Sequence, residues 1–311
     1  MPINNLLLYL GSFALVLFGA GLILSSVDKL AKQFKISSFA FSFFLLGILT
    51  SIPELGVGLT AVSEKRYDVF VGNLLGGIPL IFLLVIPVFT ILCGKLSLSQ
   101  NINRRHLLFS LIAVSLPSLL CLDGTISRID AIILLLTYGL HVVYIETSKA
   151  ALNHQQKNTK NKNFSLQDVV KVLIGIVGVF LASHVIVDQT LFFATIYSVS
   201  PFFVSLIFLS IGTNIPELSL AIRSSLSGGK SVAFGDYIGS AAANVLLLGI
   251  FTLMSNGTVS VSNNPVSVFV FTVGGSALFY LLIRSKNILT RREGIILLLV
   301  YFAFICFEYL L

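Results

Sequence analysis

Ten stretches of the chain are nearly continuous apolar runs, at about 5–24, 38–62, 69–93, 107–122, 129–148, 169–187, 197–222, 231–254, 266–284 and 294–311. A helix needs roughly 17–25 such residues to cross the hydrocarbon core of a bilayer, so each run reads as one membrane-spanning helix. Only one connection is both long and polar, Asn153 to Asn163, and it divides five runs from five. The pattern predicts an all-α membrane protein of ten transmembrane helices. Residues 1–150 would form a first five-helix repeat, 151–166 a cytoplasmic linker and 167–311 a second five-helix repeat. Met1-Pro2-Ile3-Asn4-Asn5 lacks a basic segment, so the first run reads as a retained helix rather than a cleaved signal.

The two halves carry one motif twice. Gly47-Ile-Leu-Thr50-Ser51-Ile-Pro53-Glu54-Leu55 is followed by Gly72-Asn73-Leu-Leu-Gly76-Gly77. Ser210-Ile-Gly-Thr213-Asn214-Ile-Pro216-Glu217-Leu218 is followed by Gly235-Asp236-Tyr-Ile-Gly239-Ser240. Every matched pair lies 163 residues apart, without a gap. Five spans per half force the second half to enter the membrane from the opposite side. The repeats are therefore expected to be inverted, with a shared site near mid-bilayer, as in secondary transporters.

Composition and charge sharpen this picture. Apolar residues make up 56% of the 311 and charged residues 11%, against about 25% charged in an average soluble protein. The mean hydropathy is +0.98. Loops 1–2, 3–4, 5–6, 7–8 and 9–10, with their margins, hold 3, 3, 5, 2 and 4 Lys/Arg, or 17 of the 20. The other side holds Lys65, Arg66 and Arg128. Cytoplasmic loops are the basic ones, which places both termini outside and loop 149–168 in the cytoplasm of a prokaryotic inner membrane. The net charge of +7 thus reports topology, and no aqueous basic domain suggests nucleic-acid binding. No obligate protein partner is evident. Cys93, Cys121 and Cys306 lie in apolar runs without paired spacing and read as small core residues.

The chemistry lies in the duplicated segments. Ionisable side chains within a membrane are expensive and mark functional sites. Pro53 and Pro216 are expected to break their helices and release backbone carbonyls near Gly47 and Thr50, and near Ser210 and Thr213. Thr50 precedes Glu54 by one helical turn, as Thr213 precedes Glu217, so each pair shares a face. Opposing the two faces builds an oxygen cage with two negative charges, the donor set a hard cation such as Ca2+ or Na+ requires. No Lys or Arg falls within either motif core, so cations or protons must offset the charge. The bland alternative is two protonated glutamates that stitch helices together. Gly72-Asn73 and Gly235-Asp236 are expected to open the next helix of each repeat, with Gly76, Gly77 and Gly239 giving close packing. Asp236 is either a third acid near the ion path or an exposed helix-start residue, and the second reading is preferred. His141 and His184 read as hydrogen-bonded core histidines, and Glu146 as solvated beside Lys149.

Leu-Thr50-Ser51-Ile-Pro53-Glu54 and Gly212-Thr213-Asn214-Ile-Pro216-Glu217 resemble the α-repeat of the sodium/calcium exchanger family, within the cation/calcium antiporter superfamily. The resemblance implies that Glu54 and Glu217 ligate Ca2+ together with oxygens of Thr50 and Thr213. It also implies Na+ positions built from Gly47, Ser51, Ser210, Asn214 and Ser240, with Asn244 the retained polar residue of the following turn. The chain departs from the family pattern at Gly77, where Ser is usual, at Ile81, where a polar residue is usual, and at Asn214, the partner of Ser51.

These readings predict a secondary antiporter, not an enzyme, that exports Ca2+ against an inward Na+ gradient and holds no cofactor beyond its transported ions. No nucleotide-binding signature is present, which argues against ATP drive. The rivals are Ca2+/H+ exchange and a non-transporting cation-binding membrane protein; no hydrolase constellation occurs in the spans. The apolar substitutions imply an intact extracellular Na+ position at Ser240 and Asn244 and a weak cytoplasmic one. On this reading Gly77→Ser with Ile81→Asn would raise the Hill coefficient for Na+.

Overall fold

The computed structural model describes residues 2–33, 47–97, 104–147, 165–218, 221–222, 230–255, 257–261, 264–284 and 287–310. Residues 151–164 of the expected linker lie outside the described residues, as do the side chains of Glu146 and Asp236. The first half comprises α1 (Pro2–Gln33), α2 (Gly47–Thr50), α3 (Ile52–Ser63), α4 (Tyr67–Leu80), a π-helical turn (Ile81–Val85), α5 (Ile86–Cys93), β1 (Lys95–Ser97), α6 (Arg104–Leu120), β2 (Thr125–Ser127) and α7 (Arg128–Thr147). The second comprises α8 (Leu166–Ile196), α9 (Pro201–Val204), a π-helical turn (Ser205–Leu209), α10 (Ser210–Thr213), helical backbone at 215–218, α11 (Lys230–Met254), β3 (Thr258–Ser260), α12 (Pro265–Arg284), β4 (Ile288–Thr290) and α13 (Arg291–Leu310).

Among the described residues seven helices are long and apolar enough to cross a membrane: Ile3–Ile23, Tyr67–Cys93, Arg104–Asp123, Leu166–Ile196, Tyr237–Met254, Pro265–Arg284 and Arg291–Leu310. Two apolar helices are shorter, Ile52–Ser63 and Pro201–Thr213, and belong to the duplicated segments. The 20 residues of α7 reach about 30 Å, the thickness of a hydrocarbon core. The distribution of side chains is that of a protein in lipid. Leu7, Phe18, Leu136, Leu140, Leu173 and Leu299 are exposed, while Thr50, Asn73, Thr213 and both motif glutamates are buried. A soluble domain buries its leucines and exposes its carboxylates.

The fold is nearly all-helical rather than strictly all-α. β1 pairs antiparallel with β4, Lys95 opposite Thr290, and β2 with β3, Thr125 opposite Ser260. These short extended connections escape an apolar-run reading because three residues leave no periodicity to detect. They carry the 163-residue offset far beyond the motif: β1 corresponds to β3, β2 to β4, and α7 to α13. Exchange of the two halves converts one ribbon into the other. The turns repeat too. Gly94 and Gly257 enter β1 and β3 with φ of 78° and 86°, and Gly124 and Asn287 enter β2 and β4 with φ of 83° and 53°. Glycine and asparagine are the residues that tolerate this left-handed backbone.

Both α7 and α13 are capped alike. Asp130 Oδ2 accepts hydrogen bonds from Ser127 N and Oγ at 2.8 and 2.7 Å, and Glu293 Oε2 accepts from Thr290 N and Oγ1 at 2.7 and 2.8 Å. Each pair satisfies donors that the start of a helix leaves open. Asp130→Ala and Glu293→Ala are each expected to cost about 1 kcal/mol, read as a lower unfolding temperature in detergent with unchanged helical content.

The long helices α1 and α8 pack along each other. At their crossing, a Cβ on Gly19 would stand 2.8 Å from the Gly175 carbonyl oxygen, and one on Gly175 would stand 2.6 Å from that of Gly19. The Tyr9 hydroxyl and Thr190 Oγ1 pair at 3.0 Å further along. Elsewhere α4 lies against the turn at Ser205–Leu209, and α11 against α2, so the elements of the duplicated motif face across the two halves.

His141 is buried and pairs with Ser110 at 2.8 Å, as a core histidine should. His184 is not a core residue. It is partly exposed and its Nδ1 lies 2.5 Å from Glu64 Oε1, at the end of α3. Cys121 is buried, whereas Cys306 is exposed on the apolar outer face of α13 and packs in no core. Sequence position within an apolar run does not say which side of the helix faces protein.

Candidate functional site

The breaks in the duplicated helices lie at Ser51, with φ −83° and ψ 13°, and at Asn214, with φ −90° and ψ 16°. Both precede the prolines by two residues rather than coinciding with them. Proline lacks an N–H and is accommodated in the first helical turn, where that donor has no partner anyway. Pro53 and Pro216 therefore sit in the first turn of the second helical piece in each repeat. The bonds they forgo are those to the carbonyls of Leu49 and Gly212, four residues earlier. The Gly47 and Ser210 carbonyls are not released as expected. Gly47 O accepts from Ser51 N at 3.3 Å, Ser51 Oγ at 2.9 Å and Thr50 Oγ1 at 3.2 Å. Ser210 O accepts from Asn214 N at 3.1 Å and Asn214 Nδ2 at 2.9 Å.

Glu54 falls in the first turn of α3, where the helix N-terminus favours a negative charge. Its exposure is 1%, and that of Glu217 is 0%. The two carboxylates are close enough to repel each other, with Thr213 beside Glu54 and Thr50 beside Glu217. Among the described residues no cationic side chain pairs with either. Each has one oxygen engaged and one without a partner. Glu217 Oε1 accepts from Ser240 Oγ at 2.7 Å, and Glu54 Oε1 accepts from Asn214 Nδ2 at 3.1 Å, whereas Oε2 of both is unsatisfied.

Unsatisfied buried oxygens are rare and costly, and here they cluster. Asn73 Nδ2, Asn214 Oδ1 and both polar atoms of the Asn244 amide also lack partners among the described residues. An enclosed set of oxygens around two carboxylates is the donor chemistry of a hard cation. The structure thus brings together Glu54, Glu217, Thr50, Thr213, Asn214, Ser240 and Asn244 from the expected set. Gly47 and Ser51 border it with their hydrogen bonds turned inward to their own helix. The Ser210 hydroxyl also turns away, donating to Leu206 O at 2.6 Å.

Asn73 is the residue sequence reasoning missed. The Gly-Asn pattern predicts a helix-opening residue, but α4 starts six residues earlier at Tyr67, and Asn73 is 1% exposed with Oδ1 accepting from Thr213 Oγ1 at 3.1 Å. The available signal was a lone amide in an apolar helix at the position matching Asp236. The glycines behave as packing residues. A Cβ on Gly47 would stand 2.6 Å from the Gly239 carbonyl carbon, and one on Gly72 would stand 2.6 Å from Phe202 O. At Gly77 the neighbours are polar: Asn244 Nδ2 at 2.5 Å and Asn214 Nδ2 at 3.3 Å from a built Cβ. The space above Gly77 is therefore filled, and Gly77→Ser with Ile81→Asn cannot restore a vacant position while both asparagines remain.

A family model described as the sodium/calcium exchanger protein matches residues 4–145 and 168–310, one segment in each half. The chain belongs to the sodium/calcium exchanger family. Within it, this exchanger-family chain is 27% identical over 313 residues to the "Putative antiporter CaxA" of Alkalimonas amylolytica, covering 95% of this chain and 97% of that one. Among solved structures it shares its fold with the sodium-calcium exchanger NCX_Mj, at a TM-score of 0.67, 22% identity and coverage of 98% and 99%. It shares it also with the H+/Ca2+ exchanger CAX, at a TM-score of 0.77, 18% identity and coverage of 98% and 85%.

Proposed function

We propose that this exchanger-family chain is a secondary antiporter that exports Ca2+ in return for Na+ through a midplane site formed by Glu54 and Glu217. The observation that carries this reading is a pair of fully buried carboxylates, each with an oxygen that no group among the described residues satisfies. A bound divalent ion neutralises both at once, and monovalent ions do so singly. Thr50, Thr213, Ser240, Asn214 and Asn244 line the same space, with Gly47, Ser51 and Ser210 at its border.

The proposed frame is ten spans arranged as two inverted five-helix repeats, with both termini outside and loop 149–168 cytoplasmic. It is supported by the crossed ribbons. With ten spans, β1 and β4 fall on the basic side and β2 and β3 on the other, so every strand meets a partner on its own side. Inverted repeats around a midplane site suit alternating access, in which one half rocks against the other about the bound ion.

Purified protein in proteoliposomes should take up 45Ca2+ when Na+ is loaded inside and absent outside, and stop when the Na+ gradient is collapsed. Ser240→Ala removes a donor to Glu217 and is expected to slow Na+-driven flux more than it weakens Ca2+ binding. Absence of flux under every cation gradient would leave a cation-binding protein without transport.

One observation favours protons over Na+ as the returning charge. Gly77 and the buried Ile81 supply no oxygen to the Glu54 side, and an amide takes the corner a hydroxyl would occupy. The fold shared with a protein described as an H+/Ca2+ exchanger accords with this second reading. Ca2+ flux driven by a pH jump in Na+-free buffer selects it.

A further inference from the structure

The two carboxylates receive their hydrogen bonds by different routes. Glu217 is served from its own half, by the Ser240 hydroxyl at 2.7 Å. The residue matching Ser240 is Gly77, which has no side chain, and Glu54 is served instead from the opposite half, by Asn214 Nδ2 at 3.1 Å. The same nitrogen donates to Ser210 O at 2.9 Å. In the other repeat the equivalent carbonyl, Gly47 O, receives the Ser51 hydroxyl at 2.9 Å. Both groups facing the Asn214 nitrogen are oxygen acceptors, so the N–H edge is the edge they hold. A carboxylate oxygen and a backbone carbonyl that face one point are the ligands a monovalent cation would take there. Asn214 puts a neutral donor at that point. Asn244 Nδ2 closes the space from the other side, above Gly77.

We propose that Asn214 is a specificity-determining residue whose amide substitutes for one monovalent cation beside Glu54, so that the site holds two monovalent charges or one divalent ion and exchanges them without net charge movement. The inference rests on the antiport reading above. Among the described residues the site has two carboxylates and neutral amides and hydroxyls, the side chain of Asp236, which matches Asn73, lying outside them, and a buried charge left over at any stage is strongly disfavoured. One Ca2+ matches two Na+ or two protons. A third cation would need the corner Asn214 fills.

The test is the voltage dependence of Ca2+ flux in proteoliposomes with K+ and valinomycin, measured for the wild type, Asn214→Ser and the Asn214→Ser/Gly77→Ser pair, which gives the Glu54 side the donors the Glu217 side has. Wild-type flux is expected to be indifferent to imposed potential, with a Hill coefficient near 2 for the driving cation. The double variant is expected to gain a Na+-dependent, voltage-sensitive component with a Hill coefficient approaching 3. In detergent, Na+ should displace 45Ca2+ from it more steeply than from the wild type. Voltage-driven wild-type exchange of three cations per Ca2+ overturns the proposal, and so does a folded double variant whose Na+ displacement curve and voltage response match the wild type. If the double variant does not fold, the single variant and the wild-type charge ratio decide. A wild type without Ca2+ flux in any gradient sinks the antiport reading instead, and the Na+ displacement curves still judge Asn214.

Discussion

Glu54→Gln and Glu217→Gln are each expected to abolish Ca2+ exchange while leaving the empty protein as stable as the wild type or more so. Both carboxylates are buried to within 1% exposure, and each has an unsatisfied oxygen beside its hydrogen-bonded one. In the empty protein each is a desolvated group without a cationic partner, so its replacement by a neutral amide relieves a penalty. With Ca2+ bound, the same change leaves the ion with one negative charge in place of two. Loss of one partner from a buried ionic contact costs about 3–5 kcal/mol, or roughly 10²- to 10⁴-fold in affinity. Two measurements check this together: 45Ca2+ flux in proteoliposomes, expected at background for both variants, and the unfolding temperature in detergent. Ca2+ should raise that temperature in the wild type and not in either variant. Flux above one tenth of wild type in either variant would remove that glutamate from the site.

Gly76→Ala is expected to be the most damaging small substitution outside the carboxylates. A Cβ there would collide with the Leu206 carbonyl oxygen and stand 2.7 Å from its carbon and 2.9 Å from the Leu206 Cα. All three atoms are backbone, so no side-chain rotation gives way, and α4 must separate from the turn at Ser205–Leu209. Forced overpacking of this kind costs typically 1–3 kcal/mol and occasionally more, and we expect about 3 kcal/mol because the obstacle is backbone. The controls are Gly139→Ala in α7 and Gly178→Ala in α8, where no atom lies within 4 Å of the built Cβ. Those should be neutral or stabilising by up to about 1 kcal/mol, since alanine is the better helix former. Thermal unfolding of the three variants in detergent is the measurement, and equal effects would show that close helix approach at Gly76 does not carry stability.

The helical class and the burial of Glu54 and Glu217 are legible in the sequence because a bilayer demands long apolar runs and makes each interior charge conspicuous. What failed did so for local reasons. The sequence predicts breaks at Pro53 and Pro216, yet proline suits a helix start, and the irregular residues are Ser51 and Asn214. Asn73 went unrecognised because helix boundaries depend on the turn that precedes them, Lys65 and Arg66 before α4, rather than on the Gly-Asn pair itself. Gly77 read as a lost ligand because a single sequence does not reveal what fills the space above it. His184 read as buried because its partner, Glu64, lies 120 residues away.

Gly77 and its two covering asparagines bear finally on self-complementarity. A twofold assembly of identical halves meets every contact twice, so any residue at position 77 would have to fit the same residues that it faces on its own copy. Two copies of the second half would set Ser240 against Asn214 and Asn244, where only glycine now leaves room. Two copies of the first half would leave both glutamates without the donors that Asn214 and Ser240 provide. Neither half can close the site with itself, and the pair fits only as a heterodimer held in one chain. Splitting the protein within 151–164 and co-expressing the pieces should therefore restore the site only from one half of each kind.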